Sequence, residues 1–331
     1  MENVGRPIRT SVWLFPDRPV SEIVAAARAA ERSGLDVFWL GDEGVAREPF
    51  TTLATVAAAT QQIELGVSIS NPYLRHPALT ASTAATLAEA AGRRIHLGFG
   101  RGGRASLAPV GVIPSRPLAS IRRAIALARA VLSATATEGF QPGPYSMPQG
   151  EVSLWIGGRG PMIASLAGEI ADGFIAAFPK PMLGPILALA RGIRPIEIVL
   201  CLPLILDEEH RERIRPYLPL SLLDAAPGTS DAAGLPAADA LAAAAALAAN
   251  DLRTAASYIT DEVVANVAVD APAPEAAREL ADLAVRHQVD EIMVAISGND
   301  LALEVSRCAE VLLAASREAA DRLAAPAGPP A

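Results

Sequence analysis

The feature that most restricts the fold of this 331-residue chain is a repeated alternation of short, β-prone apolar runs with Ala-rich helical stretches. RTSVWLF (9–15) precedes VSEIVAAARAAERSG, DVFWLGD (36–42) precedes FTTLATVAAAT, and IELGVSIS (63–70) precedes PALTASTAATLAEAAG. The order continues through RIHLGFG (94–100), VSLWIGG (152–158), GFIAAF (173–178), IEIVLCLPLIL (196–206) and DEIMVAIS (290–297). Nearly all of these runs are continuously apolar, the pattern of a parallel sheet covered by helices. Eight βα units predict a closed α/β (β/α)8 TIM barrel. A doubly wound sheet would place a phosphate-binding glycine turn after its first strand, and Phe15, Pro16 and Asp17 stand there instead. Residues 207–288 are longer than one βα connection and predict two or three extra helices, inserted late in the chain and packed beside the barrel. The expected organisation is one barrel domain over 1–323, with the helical insertion at about 207–288. A disordered tail, AAPAGPPA, is expected at 324–331.

Composition narrows the classes of function. Apolar residues make up 51% and charged residues 19%, and no apolar run approaches the ~20 residues that span a bilayer, so no membrane partner is expected. The opening MENVGRPIRT lacks the hydrophobic stretch of a secretory signal, which predicts a cytoplasmic protein. A net charge of −8 argues against a nucleic-acid surface. Cys201 and Cys308 lie in apolar surroundings without a CxxC pair and read as packing residues. His76 and His96 lack metal-ligand spacing, His210 and His287 fall on charged helices, and no metal is expected. His96 lies inside the fourth strand, where a satisfied core histidine is the plain reading. The GxSxG signature of many hydrolases is absent.

Barrel active sites lie at the C-terminal ends of the strands, so the residues ending each run carry the functional information. Strand two ends in Gly41, Asp42 and Glu43; strand three in Ser68, Ile69, Ser70 and Asn71. Strand four ends in GFGRGG (98–103) and strand five in GGRGP (157–161). GGRGP suits an anion: Gly157, Gly158 and Gly160 let backbone amides converge, Pro161 fits a first helical position, and Arg159 adds charge. The alternative is a tight βα turn with a solvent-facing arginine. GFGRGG matches GxGxxG but follows the fourth strand and has no acid about 20 residues on. Gly100, Arg101 and Arg104 therefore read as part of a flexible loop near a ring or phosphate, or simply as a mobile loop. Of the adjacent acids Asp42 and Glu43, one suits a hydrogen bond to a bound ring and the other proton transfer, unless both are merely solvated.

LGVSISNPYLRHPALTASTAATLAEAAGRRIHLGFGRGG (65–103) resembles the central block of the luciferase-like monooxygenase superfamily, especially its deazaflavin-dependent, methylenetetrahydromethanopterin reductase-like branch. GLDVFWLGDE (34–43), IGGRGPMIASLAGEIADGFI (156–175) and the segment 260–296 are similar too. The resemblance implies a homodimeric barrel that binds a flavin or 5-deazaflavin at its mouth. It also implies a non-proline cis peptide near Ser68 and Ile69 against the ring, with Ser70 beside it and Asn71 contacting the cofactor. Carried over, Asp42 touches the ring and Gly157, Gly158, Gly160 and Pro161 hold the cofactor phosphate; in the FMN alternative Arg101 lies on the phosphate. Some relatives have a histidine where this chain has Glu43, and an acid where it has Gly103. Glu43 is then the catalytic proton-transfer residue. The implied activity is hydride transfer between coenzyme F(420), a 5-deazaflavin, and a small-molecule substrate. FMN-dependent monooxygenation, an inactive flavin-binding barrel and an NADP-dependent reductase are the alternatives.

Overall fold

A computed structural model describes residues 7–146, 150–223, 225–226 and 228–325. Its strands are β1 (Arg9–Leu14), β2 (Val37–Leu40), β3 (Glu64–Ser70), β4 (Ile95–Phe99), β5 (Val152–Gly158), β6 (Gly173–Ala176), β7 (Glu197–Ile205), the two-residue β8 (Val269–Asp270) and β9 (Glu291–Ile296). β1 to β7 pair in parallel in chain order, β7 pairs with β9, and β9 returns to β1, so the eight runs close into a barrel. β8 only extends the far end of β7 at Leu204 and Ile205. Each barrel strand lies within two residues of the run that predicted it.

The outer helices before β7 are α1 (Val20–Ser33), α2 (Pro49–Ala57), α3 (Pro77–Ala91), the one-turn α4 (Arg104–Leu107), α5 (Pro117–Leu132), α6 (Pro161–Ile170) and α7 (Leu183–Arg191). Proline opens α2, α3, α5 and α6, where its missing N–H costs no intrahelical bond. Residues 207–288 are more finely divided than expected. They form α8 (Glu208–Ile214), α9 (Leu218–Leu223), α10 (Thr229–Ala232), α11 (Ala237–Ala248), α12 (Leu252–Ser257), α13 (Asp261–Val267) and α14 (Ala273–His287), with Asp251 capping α12 and Thr260 capping α13. The helices before α14 surround a small apolar cluster of their own, centred on Leu218, Leu222, Leu235, Ile259 and Val263. α14 instead packs against α15 (Leu301–Ala324) in the barrel's outer layer. Of the predicted tail, residues 326–331 lie outside the described residues, and Ala324 is the last residue of α15. No helix among the described residues is long and apolar enough to cross a membrane.

The strands read as unbroken apolar runs because both of their faces are buried. Val12, Leu14, Phe38, Leu40, Leu97 and Phe174 meet the helices, whereas Val37, Trp39, Trp155, Ile175, Val199 and Met293 fill the barrel. Trp39 and Trp155 fit because the neighbouring strands have no side chain there. A methyl group on Gly66 would lie 2.3 Å from the Trp39 ring, and one on Gly173 2.1 Å from the Trp155 ring.

Below these rings the barrel base is polar. His96 is fully buried, with Nε2 2.8 Å from Glu64 Oε2 and Nδ1 2.7 Å from Ser153 Oγ, and it stacks on Trp39. Burial opposes ionisation of Glu64, but His96 and Arg9 outweigh it and hold the carboxyl at about 2. The core reading of His96 therefore agrees with its surroundings. Glu291 is 1% exposed; its Oε1 accepts from Ser11 Oγ at 2.5 Å and Trp39 Nε1 at 2.8 Å. Burial pushes this carboxyl up to about 7 against the opposing charge of Arg9, whose Nε lies 3.8 Å away. Apolar periodicity gave no warning of this layer, since its members are single polar residues at the N-terminal ends of separate strands.

A folded-state value above the ordinary 4.5 means that the native protein binds this proton more tightly than the unfolded chain. The stability from Glu291 is full below about pH 4.5 and lost as pH rises through about 7, a change of about 3 kcal/mol. Glu291→Gln should match wild type in thermal stability near pH 5 and exceed it near pH 8.5. Unfolding curves at both pH values check this, and a difference that does not grow with pH would contradict the assignment.

Candidate active site

The C-terminal end of β3 departs from regular pairing. Val67 stands opposite Leu97 and Ser70 opposite Phe99, so β3 carries one residue more than β4 over this step, as in a β-bulge. The Ser68–Ile69 peptide is cis, as the resemblance implied. The Ser68 carbonyl accepts a hydrogen bond from Trp13 Nε1 at 2.7 Å, tying the bulge to β1. The Ile69 side chain turns into a hollow between β4 and β5. A methyl group on Gly98, Gly100 or Gly157 would lie 2.7, 2.0 or 2.9 Å from it. Gly100 and Gly157 thus make room for Ile69, a packing duty that the glycine-rich motifs did not reveal. Gly158 is similarly closed by Ile163, 2.8 Å from where its side chain would begin.

Two carboxyls follow β2 on the adjoining rim. Ser70 Oγ donates to Asp42 Oδ2 at 2.7 Å, joining the bulge to the strand-two tip. Ser106 Oγ donates to Glu43 Oε2 at 2.6 Å. Ser106 is 3% exposed and comes from α4, so the GFGRGG segment leads into a loop folded back onto Glu43. Close approach requires Gly44 here: it has φ +67°, and a side chain would begin 2.4 Å from the Ser106 carbonyl oxygen. Burial raises the Asp42 carboxyl, opposed by the Ser70 hydroxyl. Burial likewise raises Glu43, opposed by Ser106 and Arg159 and reinforced by Asp42. Both acids are biased towards holding a proton, in contrast to the solvated alternative.

At the tip of β5, Gly160 precedes α6 and Pro161 occupies its first turn. The Arg159 carbonyl accepts from the Ala226 amide at 2.8 Å, and a methyl on Gly160 would lie 3.2 Å from Ala226 Cβ. A loop of the late insertion therefore lies on this turn. Arg159 is half-buried and its charge acts on Glu43 and on Cys201 of β7, so it is not the solvent-facing arginine of the bland reading. Burial pushes the Cys201 thiol up to about 11, which keeps it neutral and fits its packing role.

Contacts thus join Asp42, Ser68, Ile69, Ser70, Gly100 and Gly157 around the bulge, with Glu43 and Arg159 electrostatically coupled beside them. Asn71 is 1% exposed, and its Oδ1 accepts from the amides of Tyr73 (3.1 Å) and Leu74 (3.0 Å), shaping the exit from β3. Arg101 and Pro161 are exposed. Sequence reading missed Trp13 and Ser106. The alternation of Arg9, Ser11 and Trp13 could have marked Trp13 as inward-facing; nothing in RASL marks its serine. Among the described residues, no group of three or more His, Cys, Asp or Glu side chains could hold a metal ion.

A family model described as luciferase-like monooxygenase matches residues 6–291. The chain is 33% identical over 191 residues to 5,10-methylenetetrahydromethanopterin reductase of Methanolobus tindarius, covering 55% of this chain and 59% of that one. It is 31% identical over 179 residues to F(420)-dependent glucose-6-phosphate dehydrogenase of Beutenbergia cavernae, covering 48% and 53%. The matches thus span little more than half the length of these relatives. The coenzyme F(420)-dependent tetrahydromethanopterin reductase of Methanopyrus kandleri superposes with a TM-score of 0.81 at 20% identity, over 93% of this chain and 99% of that one, a likeness of fold. With most of its length matched by the family model, the chain belongs to the luciferase-like monooxygenase family.

Proposed function

We propose that this protein is an oxidoreductase that transfers a hydride between the 5-deazaflavin coenzyme F(420) and a small organic substrate. The observation that carries this reading is the placement of Glu43, its carboxyl raised by burial and held by Ser106, beside the Ile69 bulge at the barrel mouth. Relatives described as F(420)-dependent support the choice of coenzyme.

The residues present fit such a group. Half-buried Ser68 and Ile69 of the bulge offer a platform for one face of a flat ring, and Asp42, fixed by the buried Ser70, lies at its edge. The turn Gly158–Arg159–Gly160 and the N-terminus of α6 offer amides and positive charge to a phosphorylated tail, with Pro161 and Arg101 on the outer rim. When bound, the deazaflavin supplies a two-electron hydride carrier, and the chain supplies orientation and electrostatics. Asp42 and Ser70 orient the ring, Ile69 excludes water beneath it, and Glu43 holds the proton exchanged with substrate. Asn71 shapes the exit of β3 beside that platform. A cytoplasmic homodimer without a nucleic-acid partner belongs to the same proposal, in keeping with the net charge of −8.

The family description makes FMN the second cofactor to test. Titration of the purified protein should show quenching of F(420) fluorescence with micromolar or tighter affinity. Tight FMN binding with none for the deazaflavin would reverse the assignment in favour of monooxygenation.

Turnover can be followed as loss of reduced-deazaflavin absorbance over a panel of small organic acceptors. On the substrate so found, Glu43→Gln should lower kcat by about 10²–10⁴-fold while leaving coenzyme affinity unchanged. An unchanged kcat would remove Glu43 from proton transfer. Binding of coenzyme without turnover of any acceptor would leave a flavin-binding barrel.

A further inference from the structure

The two oxygens of the Glu43 carboxyl have different surroundings. Oε2 is held by Ser106 Oγ at 2.6 Å, on the side where α4 folds over the rim. Oε1 lies on the opposite side, over Gly41. A methyl group on Gly41 would be 3.5 Å from Oε1, 3.1 Å from the Trp13 ring and 3.4 Å from Pro16 Cδ. Gly41 continues the inward series of Val37 and Trp39 on β2, so Oε1 faces the barrel axis and the bulge that Trp13 secures. One oxygen is thus anchored and the other is presented to the mouth.

We propose that Ser106 is a positioning residue that fixes Glu43 through Oε2 and so makes Oε1 the atom that exchanges a proton with substrate. This rests on the hydride-transfer reading and adds a residue and an atom to it. In the reducing direction, a proton leaves Oε1 for the substrate heteroatom while the adjoining carbon gains the hydride. The electron pair originates in the reduced deazaflavin. The resulting carboxylate keeps the Ser106 hydrogen bond and recovers its proton from solvent, while the ring N–H proton of the oxidised coenzyme is released to solvent, so charge and atoms balance.

Among the described residues, several groups face Glu43. Asp42 adjoins it in the same loop, Arg159 acts from the β5 turn, Ser106 from α4, and the β1 side contributes the uncharged Trp13 and Pro16. Ser106 Oγ–H is the donor to the ionised form, and it lies in a buried setting where such a bond is strong. Its hydroxyl also locks the carboxyl rotation that would otherwise exchange Oε1 and Oε2. Gly44, pressed against the Ser106 carbonyl, fixes the distance between the two segments.

The test uses Ser106→Ala with Ser106→Thr as the conservative rescue. Titration of Glu43 in the cofactor-free protein is followed by the infrared carboxyl band that disappears in Glu43→Gln. The band should titrate at higher pH in Ser106→Ala than in wild type and return in Ser106→Thr. In the loaded enzyme, Ser106→Ala should lower kcat about tenfold, with KM and coenzyme affinity kept, and Ser106→Thr should recover it to within about threefold. An unmoved titration, or a moved titration with full kcat, overturns the proposal. If Ser106→Ala does not fold, Ser106→Cys, with a weak donor of similar size, takes its place in both measurements. Should wild type bind no deazaflavin, the function reading fails, while the cofactor-free titration still decides whether Ser106 holds Glu43.

Discussion

The Ile69 side chain occupies a hollow that exists only because Gly98, Gly100 and Gly157 have no side chains. Three strands meet around this contact, and the geometry of the mouth follows from it. With Ile69 turned inward and the Ser68 carbonyl held by Trp13, the end of β3 is fixed from two sides. Ser70 is then placed to reach Asp42 on β2's tip. Protein interiors are close-packed, so an added methyl at any of the three glycines would displace the bulge or open the strands. A packing constraint thus sets the position of a polar rim.

Low local dielectric acts on carboxyls at both ends of the barrel, with different results. At the base, Glu64 meets His96 and Arg9 and stays ionised, whereas Glu291, more deeply buried, is pushed up to about 7. At the mouth, burial raises both Asp42 and Glu43; the charge of Asp42 adds to the cost of ionising Glu43, and that of Glu48 to the cost of ionising Asp42. Their hydroxyl partners are Ser70 and Ser106, from β3 and α4. The base carboxyls sit among tryptophans and serve the closure of the barrel. The mouth carboxyls follow the C-terminal end of a strand, the end at which barrels of this class carry their active sites.

The rim is also shaped by segments that are not part of the eight βα units. Ala226 of the late insertion lies on the Arg159–Gly160 turn, and α4 lies on Glu43 and Gly44. In a barrel, variation in such loops changes what is bound while the strands keep the framework. The family's shared framework is therefore compatible with the different substrates named among its relatives.

Much of the architecture was legible in the amino-acid sequence. Eight apolar runs with helices between them, and Phe15, Pro16 and Asp17 in place of a glycine turn after the first, point to a closed barrel and not a doubly wound sheet. The polar ends of those runs marked Asp42, Glu43 and the Ser68–Asn71 segment, since the C-terminal strand ends reach the mouth. Tertiary structure decided the rest. That Gly100 and Gly157 accommodate Ile69, that Arg159 leans inward, and that Ser106 holds Glu43 are matters of which strands become neighbours and how loops fold across them. The polar layer of Arg9, Glu64, His96 and Glu291 is likewise invisible in periodicity, because its members lie far apart in the chain. Local sequence sets propensity and burial pattern, whereas a hydrogen bond between residues 43 and 106 depends on barrel closure having first brought their loops to one side.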